Sequence, residues 1–111
     1  MEYVFNKTII TLDDYYNECE NIKTEITKHL LLTHIPIYRA NEMIDSLIYR
    51  LNIQAAESTY SYDLQLKLYN TNDMLICSKL LHNTHVDDGL RKRIWQYINT
   101  MIKPANVFNI P

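Results

Sequence analysis

Six side chains are of types that ligate zinc, and they fall into two groups along the sequence. The groups are Cys19, His29 and His34, and then Cys77, His82 and His85. Structural zinc sites draw on cysteine pairs and histidine pairs at tight spacing. The chain has no C-x-x-C pair, and each cysteine lies inside an apolar stripe. We therefore predict two buried thiols and separate histidines near helix ends, with no metal ion and no cofactor.

The residues that could support catalysis have simpler interpretations. Cys77 and a nearby histidine could be a nucleophile and its base, but a chain with two cysteines and four histidines offers such pairings by chance. The pairs Asp13–Asp14 and Asp87–Asp88 stand at predicted helix starts, where carboxylates stabilise the free backbone N–H groups. Gly89 is the single glycine and cannot build a phosphate-binding loop. We predict that the protein is not an enzyme.

Basic side chains concentrate in the last third of the chain. The candidate contacts to phosphate or to an acidic partner are Lys79, Arg91, Lys92 and Arg93. They support one alternative function, that of a small nucleic-acid-associated or transcription-regulatory helical protein. The chain as a whole carries 11 basic and 13 acidic side chains, a net charge of −2. It therefore lacks the basic excess that is typical of a general nucleic-acid binder, and the alternative is not favoured.

Tyrosine is the most prominent aromatic residue, with nine copies in 111 residues. A core of this size cannot bury them all, and a surface tyrosine offers a large contact area with a polar tip. AT-rich codon use is an equally good explanation of the excess. Together with two apolar residues near the C-terminus, the tyrosines give the predicted partner-binding set: Tyr15, Tyr16, Tyr38, Tyr49, Tyr60, Tyr62, Val107 and Phe108.

These observations favour a non-enzymatic function in protein–protein interaction. We predict a structural or accessory subunit of a larger assembly, with a second copy of the chain as one candidate partner. The excess of Ile, Asn, Tyr and Lys is typical of AT-rich coding DNA. A viral or phage origin is a hypothesis that this composition supports.

Three helices are predicted from apolar residues that recur every three or four positions. The first spans about 12–32, with Thr11 and Asp14 at its start in the spacing of a helix cap. The second spans about 36–52, since proline fits the first turn of a helix. The last spans about 85–103, and Pro104 is expected to end it. The first two should form an antiparallel hairpin, because the link between them is short.

Three further segments are less clear in the sequence. Residues 59–69 alternate apolar and polar side chains, which favours a half-buried strand over a helix. Residues 74–82 favour a helix capped by Asn72 over a returning strand. Residues 2–10 suggest a short strand or a hairpin. The predicted fold is mainly α: one domain over 1–111, a bundle of three to four helices with a minor β-strand or hairpin, and an extended tail over 104–111.

The chain shows no sign of membrane insertion. Its apolar runs fall short of the ~18–20 residues that a membrane-spanning helix needs. The first eleven residues lack the features of a signal peptide. We therefore predict an intracellular protein without a membrane partner, in the cytoplasm or nucleus of the host cell if the protein is viral.

Overall fold

Five helices account for most of the chain in the computed structural model, which describes residues 3–5 and 9–106, with side chains as far as Met101. The helices are α1 (Leu12–Thr33), α2 (Ile37–Ser58), α3 (Tyr62–Tyr69), α4 (Met74–His82) and α5 (Asp88–Asn106). The prediction of a small, mainly helical domain is confirmed, although five helices are present instead of three or four. The prediction of a minor β element is wrong, since no strand occurs over 3–5 or 9–106.

The start of α1 follows the predicted cap. The Thr11 hydroxyl accepts a hydrogen bond from the Asp14 backbone N–H at 3.1 Å, and the Asp14 carboxylate accepts one from the Thr11 N–H at 3.0 Å. This reciprocal pair satisfies two backbone donors that the helix itself leaves free. At the other end His34 adopts a left-handed conformation, with φ of 56°, and donates its backbone N–H to the Leu30 carbonyl at 2.9 Å. The predicted bounds of 12–32 are therefore correct to within one residue.

Helix α2 begins directly after Pro36, as predicted, but it continues to Ser58 and so extends six residues past the predicted end at 52. Ala55 and Ala56 in the added part are completely buried. Alanine is the best helix former, and its small side chain lets another helix approach closely. The two long helices form the expected antiparallel hairpin, joined by residues 34–36.

The segment predicted to be a strand forms α3 instead. The Ser61 hydroxyl accepts the Leu64 backbone N–H at 3.4 Å, which caps the helix. The side chains that become buried are Leu64, Gln65 and Leu68, at helical spacing. Tyr60 and Tyr62, which the alternating pattern would bury, are exposed. Residues 3–5 and 9–10 have no regular structure, and the other residues of the strand or hairpin predicted over 2–10 lie outside the described part of the chain.

Helix α4 matches its predicted bounds of 74–82, but its cap is one residue later than predicted. The Asp73 carboxylate, not Asn72, accepts the Ile76 backbone N–H at 3.0 Å. Asn72 instead has φ of 56°, a left-handed conformation that asparagine tolerates better than most residues. Its carbonyl accepts a hydrogen bond from the Tyr97 hydroxyl at 2.7 Å, which ties the α3–α4 turn to α5.

Helix α5 differs from its predicted bounds at both ends. It begins at Asp88 instead of residue 85, because the Asp87 carboxylate accepts the Leu90 backbone N–H at 3.0 Å and so caps the helix. It continues through Pro104 to Asn106, so the predicted extended tail is wrong over 104–106. Proline has a φ close to the helical value, so the backbone can follow the helix through Pro104, although this residue has no N–H to donate to the carbonyl four residues earlier. Residues 107–111 lie outside the described part of the chain.

The core lies where the N-terminal half of α1 and the C-terminal half of α2 meet the three shorter helices. Helix α4 contacts both α2 and α5, and α3 lies beside α4. The apolar side chains that are almost completely buried are Ile9, Ile22, Ile26, Leu51, Leu64, Leu68, Ile76, Leu80, Leu90 and Ile94. None of them comes from residues 27–50, which form the outer half of the α1–α2 hairpin. The domain is elongated, with extents of 60 × 31 × 18 Å.

Candidate protein-interaction surface

The outer half of the hairpin has almost no core of its own. Between residues 27 and 50 the only buried side chain is Ala40. Half-buried apolar residues, among them Leu30, Ile44 and Ile48, lie along this stretch and pack against the edge of the core. The outer half therefore depends on contact between the two helices and leaves large parts of both exposed.

Four large apolar side chains surround the turn of the hairpin. Leu31 is 69% exposed, Leu32 80%, Ile37 70% and Tyr38 65%. Isolated exposed apolar residues are common on protein surfaces, but contiguous apolar groups are typical of interaction sites. These four lie within eight consecutive residues, on the two sides of one short link. We call them the tip cluster.

The predicted tyrosines do not form one surface. Tyr16, Tyr38, Tyr49, Tyr60 and Tyr62 are exposed, as expected from the tyrosine count, but only Tyr38 belongs to the tip cluster. The others lie apart, on α1, on the second half of α2 and at the start of α3. Their role in binding a partner stays a prediction.

Tyr15 was placed in the predicted partner-binding set, and the structure corrects this. It is only 5% exposed, and its hydroxyl donates a hydrogen bond to the Asn52 side chain at 2.6 Å. The ring belongs to the core because the α1–α2 packing supplies a polar partner for its hydroxyl. Val107 and Phe108, the other predicted members, lie outside the described residues.

The sequence interpretation missed three of the four residues of the tip cluster. Leu31 and Leu32 lie within the first predicted helix and Ile37 within the second, and none of the three is in the predicted partner-binding set. One signal could have identified the first two. The run Leu30-Leu31-Leu32 advances by about 100° per residue around a helix, so one narrow buried face cannot hold all three side chains.

An open groove between α1 and α3 holds a lysine above two tyrosine rings. The Lys67 ammonium lies 5.7 Å from the ring centre of Tyr15 and 5.3 Å from that of Tyr16. These distances suit cation–π attraction. Asp63 and Leu66 also line the groove, so it presents both charge signs beside apolar surface. The Lys67 side chain, which belongs to α3, contacts two tyrosine rings of α1 and so links the two helices.

Two of the four predicted basic contacts are used inside the fold. Lys79 pairs with Glu57 at 3.1 Å. Arg91 donates hydrogen bonds from Nη1 to the Leu81 carbonyl at 2.8 Å and from Nη2 to the Asn83 carbonyl at 3.2 Å. Arg91 therefore satisfies carbonyls at the end of α4 and holds the α4–α5 connection. Lys92 and Arg93 are exposed.

The residues considered for catalysis or metal binding are separated or serve the fold. Cys19 and Cys77 are free and buried, and burial raises the pKa of each thiol. A raised pKa keeps a thiol protonated and unreactive. Asp14 and Asp87 cap helices. Over the described residues, no three His, Cys, Asp or Glu side chains are grouped so as to hold a metal ion.

A buried carboxylate beneath the N-terminal segment is a feature that the sequence did not reveal. Glu18 is completely buried. One of its oxygens, Oε1, accepts a hydrogen bond from the Tyr3 hydroxyl, and Oε2 has no partner among the described residues. Burial raises the pKa of the Tyr3 phenol, and the hydrogen bond to Glu18 raises it further by a smaller amount. The folded protein thus holds this proton more tightly than the unfolded chain, so stability is lost as the pH rises above the ordinary pKa of 10.0.

Removing the Tyr3 hydroxyl by Tyr3→Phe is expected to lower the free energy of unfolding by about 1–3 kcal/mol, because it leaves a buried carboxylate without its donor. Glu18→Gln is the matched control, since glutamine has the same shape and keeps an acceptor for the hydroxyl. Urea unfolding measures both changes. A Tyr3→Phe protein as stable as the wild type would contradict the role of this hydrogen bond.

Comparison with known proteins gives no family for this chain: no protein-family model, no curated protein and no solved structure matches it. Among the described residues, no helix combines the length and the apolar character needed to cross a membrane. The class of protein is therefore described by its own geometry, as a five-helix domain from which one helical hairpin extends with an exposed apolar tip.

Proposed function

We propose that this protein is a non-enzymatic interaction subunit that binds another protein through the tip cluster. The observation that carries the proposal is the exposure of Leu31, Leu32, Ile37 and Tyr38, each at least 65% exposed, at the end of a hairpin. Burying apolar surface yields roughly 25 cal/mol per Å². Four large side chains presented on two helices supply a compact anchor for a concave partner.

The charges around the tip indicate what the partner surface looks like. Residues 26–41 contain Lys28, His29, His34 and Arg39 but no aspartate or glutamate. Lys28 is near Glu25, at 3.4 Å, whereas His34 and Arg39 are exposed beside the tip cluster. A partner with an apolar pocket and an acidic rim would complement this end of the hairpin.

The predicted function has three further elements: the nucleic-acid alternative, the intracellular assembly and the viral or phage origin. The nucleic-acid alternative has less support, because Lys79 and Arg91 are already engaged within the fold. A role as an accessory subunit of an intracellular assembly is part of our proposal. A viral or phage origin stays a hypothesis that rests on composition.

Affinity capture from the cells in which the protein naturally occurs tests the proposal. Three forms are compared: the wild type, the tip variant Leu32→Asp/Ile37→Asp, and the control Lys92→Glu/Arg93→Glu, which alters exposed residues on α5. Wild type and control should enrich the same proteins. The tip variant should enrich these proteins at least ~10-fold less than the wild type, because a buried unpaired charge opposes docking. Equal enrichment by all three forms would contradict the proposal.

A further inference from the structure

One side of α2 in the outer hairpin is largely exposed, with Met43 and Leu47 half-buried at its border with the core. Arg39, Glu42, Met43, Ser46, Leu47 and Arg50 line a shallow depression that is formed by α2 alone. Their spacing of three and four places them along one side of the helix. The depression continues into a second one lined by Phe5, Arg50, Ile53, Gln54 and Glu57. We call the six residues of the first depression the α2 stripe.

The charged side chains of the α2 stripe have no ion-pair partner among the described residues. Over the described residues, Arg39, Glu42 and Arg50 form no ion pair, whereas Glu57 at the end of the same face is paired with Lys79. The Arg50 guanidinium lies 5.9 Å from the centre of the Phe5 ring, and this contact holds it along the helix surface. The stripe thus combines exposed charges of both signs with the half-buried side chains of Met43 and Leu47.

Opposite charges in the α2 stripe are placed symmetrically along the helix about Ser46. Glu42 and Arg50 are each four residues from Ser46, on opposite sides of it. At 1.5 Å per residue they lie ~6 Å from Ser46 along the axis. If two copies of α2 cross antiparallel with their Ser46 residues facing, Glu42 of each copy meets Arg50 of the other, twice. The small serine at the crossing point allows the helices to approach closely.

We propose that the α2 stripe is a self-association surface, on which a second copy of this chain docks antiparallel about a two-fold axis near Ser46. Such an interface uses the same patch on both copies. Met43 and Leu47 supply apolar contact beside the two ion pairs. Arg39 of each copy lies opposite Ile53 of the other, within about one helical turn of Glu57.

This inference goes beyond the proposed function, because the α2 stripe and the tip cluster share no residue. Self-association through the stripe would give a unit with two tip clusters. Two linked binding sites raise the effective affinity for a partner that itself has two sites. Each surface can fail its test without affecting the other.

Charge reversal with rescue, followed by light scattering over a range of concentrations, tests the inference. The wild type should reach twice the chain mass of 13.2 kDa. Glu42→Arg and Arg50→Glu should each weaken self-association by at least ~10-fold, because like charges then meet at both ends of the crossing. The double variant Glu42→Arg/Arg50→Glu should regain the doubled mass, and so should an equimolar mixture of the two single variants.

Two controls separate this result from misfolding and from the proposed function. Glu20→Arg reverses an exposed charge on α1 and should leave the doubled mass intact, as should the tip variant Leu32→Asp/Ile37→Asp. Circular dichroism should show equal helix content in every variant. A wild type with the mass of one chain at every concentration would overturn the inference. Single reversals that keep the doubled mass, or a double variant that fails to regain it, would also overturn it.

Discussion

Replacing Gln65 with leucine is expected to lower the free energy of unfolding by about 3 kcal/mol. The Gln65 side chain is 1% exposed. Its Nε2 donates to the Thr59 carbonyl at 3.2 Å and to the His85 carbonyl at 2.9 Å, and its Oε1 accepts the Asp87 backbone N–H at 3.0 Å. Leucine has a similar size but removes all three hydrogen bonds. The His85 carbonyl and the Asp87 N–H lose the Gln65 side chain as their partner, whereas the Thr59 carbonyl still accepts a hydrogen bond from Asn83. Urea unfolding of the purified variant measures the loss.

A matched substitution on the surface controls for the change of residue type. Gln54→Leu alters a half-buried glutamine on α2 and should change the free energy of unfolding by no more than ~0.5 kcal/mol. If the free energy of unfolding fell by the same small amount in both variants, the hydrogen bonds of Gln65 would not stabilise the fold as proposed.

A second buried amide, that of Asn83, lies beside Gln65 and donates to the same Thr59 carbonyl. The Asn83 Nδ2 donates to the Ala56 carbonyl at 3.1 Å and to the Thr59 carbonyl at 2.7 Å, while its Oδ1 accepts the His85 backbone N–H at 2.8 Å. Thr59 in turn donates its hydroxyl to the Ile10 carbonyl. Two buried amides therefore join the segment before α1, the α2–α3 link and the α4–α5 connection. Networks whose members are satisfied in this way fix one arrangement of a core.

The same leucine-to-alanine substitution is expected to have very different effects on stability at positions 80 and 32. Leu80→Ala should lower the free energy of unfolding by about 2–5 kcal/mol, because it opens a cavity in the core. Leu32→Ala should change it by no more than ~0.5 kcal/mol. The reason is burial: Leu80 is completely buried and Leu32 is 80% exposed. Thermal or urea unfolding of the two variants gives the comparison directly.

This comparison bears on function as well as on stability. A large, exposed apolar side chain that does not contribute to folding is typical of a surface that binds a partner. If Leu32→Ala destabilised the protein as strongly as Leu80→Ala, the tip would be part of the core, and it would not be available to a partner.

Local signals in the sequence were sufficient for the two long helices. The start of α1 could be predicted because the spacing of Thr11 and Asp14 is itself the cap, and Pro36 marks the start of α2. Residues 59–69 could not be assigned correctly, because the alternation of Leu64, Leu66 and Leu68 fits a strand and a helix alike. The helix is favoured by the Ser61 cap and by the burial of Gln65, which depends on carbonyls far along the chain.

The candidate site was predictable only in part. The number of tyrosines indicated that several would be exposed, and five of the six tyrosines in the predicted set are. Tyr15 could not be separated from them, because its hydroxyl finds Asn52 only when α1 and α2 are packed together. The run Leu30-Leu31-Leu32 indicates that at least one of these side chains is exposed, but both Leu31 and Leu32 are exposed because the body of the protein ends before the hairpin does. Such limits are set by tertiary contacts and are not encoded in a local pattern.

Photo-crosslinking from position 32 tests the proposed binding surface most directly. A photoreactive amino acid replaces Leu32 in the full chain, and the same group placed at Lys92 on α5 serves as the control. Irradiation in the cells in which the protein naturally occurs should yield a discrete product with another protein from position 32 and none from position 92. The absence of a product at position 32, or the same products from both positions, would contradict the assignment of the hairpin tip as the interaction surface.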